Sequence, residues 1–265
     1  MIRSSPLAAL LVSAAVAVTP PAAHAAGKDF KIRWFGQSFF QLETPSGKKV
    51  VFDPHAIPEF GRPVVTADVI LISHLHDDHA QPEAVEGYKS ARIFYGLKEK
   101  AKGKPADWNR IDEKVGGIRV RSLGTYHDAD NGMQKGKNTV FVVEAEGVTV
   151  CHLGDLGHEL TPQQVKAIGP VDVLMIPVGG VYTINGETAK KVMAELKPRL
   201  FVLPMHYGVP GYDDLLPADE FLDGQPHVRR TPGTNELSFP ADLKPAAPTV
   251  VVLSPKPGDA PAPKK

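Results

Sequence analysis

Apolar runs of strand length recur along the chain, separated by turn-forming residues. Residues 30–35 and 38–44 are β-type runs divided by Gly36-Gln37, and the Ser46-Gly47 turn leads into a third run at 49–52 that stops at Asp53-Pro54. This opening predicts an antiparallel meander. From Asp68 onward the pattern changes to buried strands alternating with loops and helices. Residues 69–73 and 91–95 read as strands, with a short helix between them at 81–88, where Pro82 falls in the first turn. Strands follow at 118–123, 139–144 and 148–152, the last two joined by Glu146-Gly147. Thr161 is placed to cap a helix beginning at Pro162. Residues 171–176 and 199–203 are strands flanking a helix at 186–196. The sum is an α/β protein with mixed sheets, in an order the sequence does not reveal.

Both ends depart from this pattern. Residues 1–25 carry one charge, Arg3, then an apolar run from Leu7 to Val18, Pro20-Pro21 and the small-residue signature Ala23-His24-Ala25. That layout predicts a secretory signal peptide cleaved after Ala25, too short and Ala-rich for a membrane span. Export to the periplasm or outside the cell is therefore expected, with no membrane anchor left after cleavage. One domain is expected over 26–254, and the Pro/Ala/Lys-rich stretch 255–265 reads as a disordered tail.

Charge and cysteine content narrow the function. The 30 basic residues equal the 30 acidic ones, which lacks the basic surplus of a nucleic-acid binder, so a small-molecule partner is expected. Cys151, the single cysteine, cannot form an internal disulfide and lies within an apolar strand.

The chemistry concentrates in His74-Leu75-His76-Asp77-Asp78-His79, directly after a predicted strand. In an extended loop, residues two apart project the same way, so His74 and His76 can grip one cation while Asp78 and His79 face another. Three further strands deliver His127, Asp155 and His206 close to their ends, where active sites collect. Imidazole and carboxylate without thiolate suit zinc, manganese or iron.

The series His74, His76, Asp78, His79, His127, Asp155 and His206 resembles the complete ligand set of the metallo-β-lactamase fold superfamily, over roughly residues 30–208. The segments Trp34-Phe35-Gly36-Gln37-Ser38-Phe39, Phe52-Asp53-Pro54, His152-Leu153-Gly154-Asp155-Leu156-Gly157, Pro177-Val178-Gly179-Gly180 and Pro204-Met205-His206-Tyr207 resemble the L-ascorbate-6-phosphate lactonase-like branch of metal-dependent hydrolases. The resemblance implies a four-layer αββα sandwich. It also implies two divalent metal ions, Zn²⁺ before Mn²⁺ or Fe²⁺. One ion would take His74, His76 and His127, the other Asp78, His79 and His206, with Asp155 bridging.

The expected reaction is hydrolysis of an ester-type bond (lactone, carboxylic ester or phosphodiester) by a metal-bridging hydroxide. Asp78 or a metal-bound water would supply the leaving-group proton. Such a site is net positive and favours an anionic or oxyanion-forming substrate. An iron-dependent oxidoreductase on the same fold and a non-catalytic metal-binding protein are the rival readings. His55, His152, Gly180, Tyr182 and Tyr207 stand near the expected site loops and are candidate substrate contacts, each set against a structural role.

Overall fold

In β1 (Phe30–Trp34), Phe30, Ile32 and Trp34 are buried while Lys31 and Arg33 are half-buried, the period of two that puts one face of a strand on a core. The computed structural model containing this strand describes residues 29–98, 106–212, 214–244 and 247–255, together with Met1. The predicted signal peptide and, beyond Pro255, the predicted tail lie outside the described residues apart from Met1.

β1 pairs antiparallel with β2 (Phe40–Glu43), and β2 with β3 (Lys49–Phe52), which forms the expected meander. β3, β4 (Val69–Ile72) and β5 (Arg92–Tyr95) run parallel. β3 and β4 are buried on both faces, and alternate residues enter different cores. Val50, Phe52, Val69 and Leu71 join the large core shared with the second sheet, whereas Val51, Ile70 and Ile72 pack with Phe35, Phe39 and Val85.

The second sheet starts with four antiparallel strands, β6 (Asp112–Val115), β7 (Ile118–Tyr126), β8 (Lys137–Ala145) and β9 (Val148–His152). β10 (Val173–Pro177) and β11 (Phe201–Met205) continue parallel to β9, and all their residues are buried, as interior parallel strands require. The C-terminal segment serves both sheets. β13 (Glu236–Phe239) pairs with β1, and β14 (Thr249–Leu253) pairs with β11 and with β12 (Val228–Thr231). The orders are β13-β1-β2-β3-β4-β5 and β12-β14-β11-β10-β9-β8-β7-β6.

Helices cover the eight-stranded sheet. α1 (Pro162–Ile168) begins with the predicted cap: Thr161 Oγ1 accepts from Gln164 N at 3.2 Å, and Gln164 Oε1 accepts from Thr161 N at 2.8 Å. α2 (Gly186–Leu196), capped by Asn185, buries Ala189, Val192 and Leu196, and the short α3 (Asp219–Leu222) packs against it. The helix expected at 81–88 does not form. Two 3₁₀ turns, Pro82–Ala84 and Tyr88–Ser90, replace it, because Val85 is extended and Gly87 is left-handed at φ 71°. These turns and their loops form the layer over the six-stranded sheet, so the αββα sandwich is asymmetric among the described residues.

β7, β9, β10 and β11 point the same way, so the loops after them emerge at one edge of the sandwich. The loop after β1 reaches the same edge, where His206 N donates to Gln37 O at 3.1 Å.

Candidate metal centre

The loop after β4 starts at Ser73, whose N–H and Oγ–H both donate to Asp53, at 2.7 Å to Oδ1 and 2.6 Å to Oδ2. Thus anchored, the loop turns so that His79 N and Ala80 N both donate to His76 O. His74 Nε2 lies 3.1 Å from His76 Nδ1, as projection to one side predicts. The ring of His127, after β7, sits with centroids 4.8 Å from His74 and 5.0 Å from His76. The ring of His206, after β11, stacks 5.8 Å from His79.

Asp155, after β9, stands at the centre. Its Oδ2 lies 3.0 Å from His206 Nε2, 3.1 Å from His127 Nε2, 3.2 Å from His79 Nε2 and 3.8 Å from His74 Nε2. Asn138 Oδ1 accepts from Asp155 N at 3.0 Å, and Ser38 Oγ approaches Asp155 Oδ1 at 3.5 Å. Two donor triads result, His74/His76/His127 and Asp78/His79/His206, with Asp155 against both. The family resemblance implies the same two groupings. A third potential triad substitutes Asp53 for the outer members, but both Asp53 oxygens are already taken by Ser73 and His79.

Hydrogen-bond arithmetic fixes two tautomers. Ser73 Oγ spends its only proton on Asp53, so at 2.9 Å it accepts from His74 Nδ1–H. His79 Nδ1–H donates to Asp53 Oδ2 at 3.0 Å. In neutral His74 and His79 the Nε2 lone pairs therefore face the cluster, the arrangement that ligating imidazoles need. His79 Nε2 is buried without a hydrogen-bond partner, and so are His127 Nδ1 and His206 Nδ1. Seven N/O donors converging this closely, with an orphaned nitrogen among them, fit a pair of divalent cations.

The electrostatics agree. Burial, then the neighbouring His79, push His74 well below the usual imidazole range, and burial followed by His127 lowers His76. Burial opposes charge on His79, yet Asp155 and Asp78 hold it well above that range. Burial likewise opposes ionisation of Asp155 and Asp78. His206 and His79 outweigh it for Asp155, and His79 does so for Asp78. Both carboxyls lie below the usual carboxylate range.

The candidate substrate contacts fare differently. His55 is buried with both ring nitrogens in use, Nε2–H donating to Gly36 O at 3.1 Å and Nδ1 accepting from Ile57 N at 3.2 Å. His152 is fully buried, stacked on Phe52, with Nε2–H donating to Ser38 O and Nδ1 accepting from Gly154 N. These two are corrected to structural braces with no free donor or acceptor for a substrate. Tyr207 is buried against Trp34, ring centroids 5.2 Å apart. Gly180 (φ 59°) and exposed Tyr182 remain on the rim.

Sequence reading passed over the supports. Gln37, buried and left-handed at φ 49°, places Nε2 3.2 Å from both Asp78 Oδ2 and His206 Nε2. Asn138 fixes the Asp155 loop through Leu153 O as well as Asp155 N. His158 accepts from Tyr126 N at 3.1 Å and so holds the end of β7 beside His127. Surface hollows of about 490 and 470 Å³ around Trp108–Arg110 are lined by none of the seven donors.

A family profile described as "Beta-lactamase superfamily domain" matches residues 31–206, which include all seven. A UPF0173 metal-dependent hydrolase of Thermococcus kodakarensis is 30% identical over 199 residues, 67% of this chain and 84% of that protein. Another from Pyrococcus abyssi is 29% identical over 196 residues, with the same coverage of 67% and 84%. Among solved structures, a Thermotoga maritima protein assigned to the Zn-dependent hydrolases of the metallo-β-lactamase superfamily is 37% identical. It superposes with a TM-score of 0.63 over 84% of this chain and 97% of its own. The chain belongs to the metallo-β-lactamase superfamily, in its group of metal-dependent hydrolases.

Proposed function

We propose that the protein is an exported hydrolase with a dinuclear metal site, cleaving an ester-type bond. The observation that carries this reading is Asp155 Oδ2, set within 3.0–3.8 Å of four imidazole nitrogens drawn from both donor triads. His74, His76 and His127 would hold one cation and Asp78, His79 and His206 the other, with Asp155 shared, and Zn²⁺ suits this donor set best. When bound, a cation pair supplies a water-derived nucleophile at neutral pH and polarises the oxygen under attack.

The chain's own residues prepare the rest. Asp53 and Ser73 orient the imidazoles of His74 and His79 before any cation arrives. Gln37 borders Asp78 and His206 and fills that side of the cluster. Asp78, with its side chain 33% exposed against 2% for Asp155, is the carboxylate placed to pass a proton towards the leaving oxygen. The favoured substrate develops negative charge as it reacts. Export rests on the leader at 1–25.

Metal analysis and turnover test this reading. Two equivalents of divalent metal, with metal-dependent cleavage of chromogenic esters, lactones or phosphodiesters that Asp155→Ala abolishes, are expected. Turnover of none of these classes would favour a non-catalytic metal protein, and bound iron with oxygen consumption would favour the oxidoreductase. A mature N-terminus at residue 26 in the exported fraction is the outcome expected for localisation.

A further inference from the structure

The loops after β4, β7, β9, β10 and β11, residues 73–81, 127–136, 153–160, 178–185 and 206–217, contain one Lys or Arg among them, Lys135, and the loop after β3 adds Arg62. Histidines aside, every other charged side chain there is Asp or Glu. Lys135 is itself occupied: its Nζ donates to Val181 O at 2.8 Å and Tyr182 O at 2.9 Å, and lies 5.5 Å from the Tyr182 ring centroid. Phosphate oxygens not held by the cations are held by Arg, Lys or a nest of backbone N–H groups. On these five loops the basic side chain is spent on carbonyls.

What the loops present instead is apolar. Of the ten large hydrophobic residues exposed among the described residues, five sit on these loops: Leu75, Met133, Val181, Tyr182 and Leu216. Scattered exposed apolar residues are ordinary, but a concentration on site loops marks a binding surface. Three of the loops are tied into one rim. Lys135 joins the Met133 loop to Val181 and Tyr182, and Leu216 N donates to Gly179 O at 3.0 Å. Val181, β-branched, is held at φ 58° with 54% of its surface exposed. That conformation is strained for a branched side chain and persists only where surrounding contacts enforce it.

We propose that this rim receives the apolar chain of an uncharged carboxylic ester or lactone, and that such esters are cleaved in preference to phosphodiesters and sugar phosphates. The inference rests on the ester-cleaving reading above and narrows its anionic expectation to charge that develops during the reaction. The acyl carbon–oxygen bond breaks, water supplies the new oxygen on the acyl carbon, and the alkoxide leaving group takes up a proton from that water. No oxidant or reductant is required.

The test uses the metal-loaded mature chain in two arms. In the first, kcat/KM is measured for p-nitrophenyl acetate, butyrate and octanoate and for bis(p-nitrophenyl) phosphate. In the second, calorimetry compares acetohydroxamate, octanohydroxamate and inorganic phosphate, a readout independent of turnover. Partial burial of six added methylenes should raise both kcat/KM and affinity by at least about tenfold from the C2 to the C8 member. The double variant Met133→Ser, Leu216→Ser should bring that ratio close to one at unchanged metal content. Equal affinity for the two hydroxamates, tighter binding of phosphate than of either, or faster cleavage of the diester than of the octanoate would overturn the inference. Equal hydroxamate affinities with ester turnover intact would sink this inference alone. Chain-length-dependent binding with no ester turnover would sink the hydrolase reading and leave the apolar-ligand assignment standing.

Discussion

Asp53 Oδ2 accepts from His79 Nδ1 at 3.0 Å and from Ser73 Oγ at 2.6 Å, and Ser73 Oγ in turn accepts from His74 Nδ1 at 2.9 Å. One buried carboxylate thus aims an imidazole from each donor triad. Asp53 has φ 42°, a left-handed conformation that asparagine also adopts, so Asp53→Asn preserves the turn and replaces one accepting oxygen with an NH₂ group. Metal affinity should fall by about 10–100-fold, measured by competition with a chromophoric chelator. Unchanged affinity would show that His79 needs no such support.

Removal of metal should be visible as lost stability, because the triads exist only in the folded chain. At free metal near 100 times Kd, bound cation contributes about 2.7 kcal/mol per site. For a chain of this size that is roughly 5–10 °C in Tm. Calorimetry before and after chelation, with Zn²⁺ restored in a third run, checks it. A Tm indifferent to chelation would argue against any resident cation.

His55 predicts an acid sensitivity governed first by its burial. Burial lowers its pKa to about 4, against 6.5 for the free side chain. The folded state keeps this imidazole neutral, so between those two values the unfolded chain binds the extra proton. The stabilisation is complete above pH 6.5 and is lost as pH falls towards 4. The loss reaches about 3 kcal/mol. Urea midpoints of the chelated protein at pH 7, 5.5 and 4 should drop less for His55→Asn than for the parent. Parallel slopes would refute the assignment.

Gly179 is required for space rather than for its φ. A Cβ there would lie 2.2 Å from His206 O and 2.6 Å from Tyr207 Cα, both backbone atoms. Gly179→Ala should therefore shift the His206 loop, destabilise the fold by about 1–3 kcal/mol and weaken metal binding together. An alanine variant with wild-type Tm and metal content would mean that the loop yields freely.

The legible parts of this molecule were those where chemistry or apolarity is dense along the chain. The histidine-rich loop packs four donors into 74–79, and β4, β10 and β11 are continuous apolar runs. The edge strands β6, Asp-Glu-Lys-Val, and β12, Val-Arg-Arg-Thr, carry no such signal, since one side of an edge needs no partner. Gln37, Ser73 and Asn138 look like ordinary turn or strand residues, and only tertiary contacts make them supports of the cluster. For His55 and His152 the structural role set against substrate contact is the one their hydrogen bonds favour. A histidine near site motifs reads as chemistry, whereas its hydrogen bonds to backbone show a packing role.

β13 covers the free edge of β1, and β14 covers that of β11, the strand that delivers His206. Among the described strands the first in sequence is therefore completed by one of the last. A chain cut short before residue 236 keeps two bare edges, each a template for adhesion to another polypeptide. Neither edge is covered, and β11, which leads to His206, lacks its neighbour on that side, until β13 and β14 have joined the sheets. Completion of both sheets thus depends on the segment after β12, and a protease clip between β12 and β13 would act on both sheets at once.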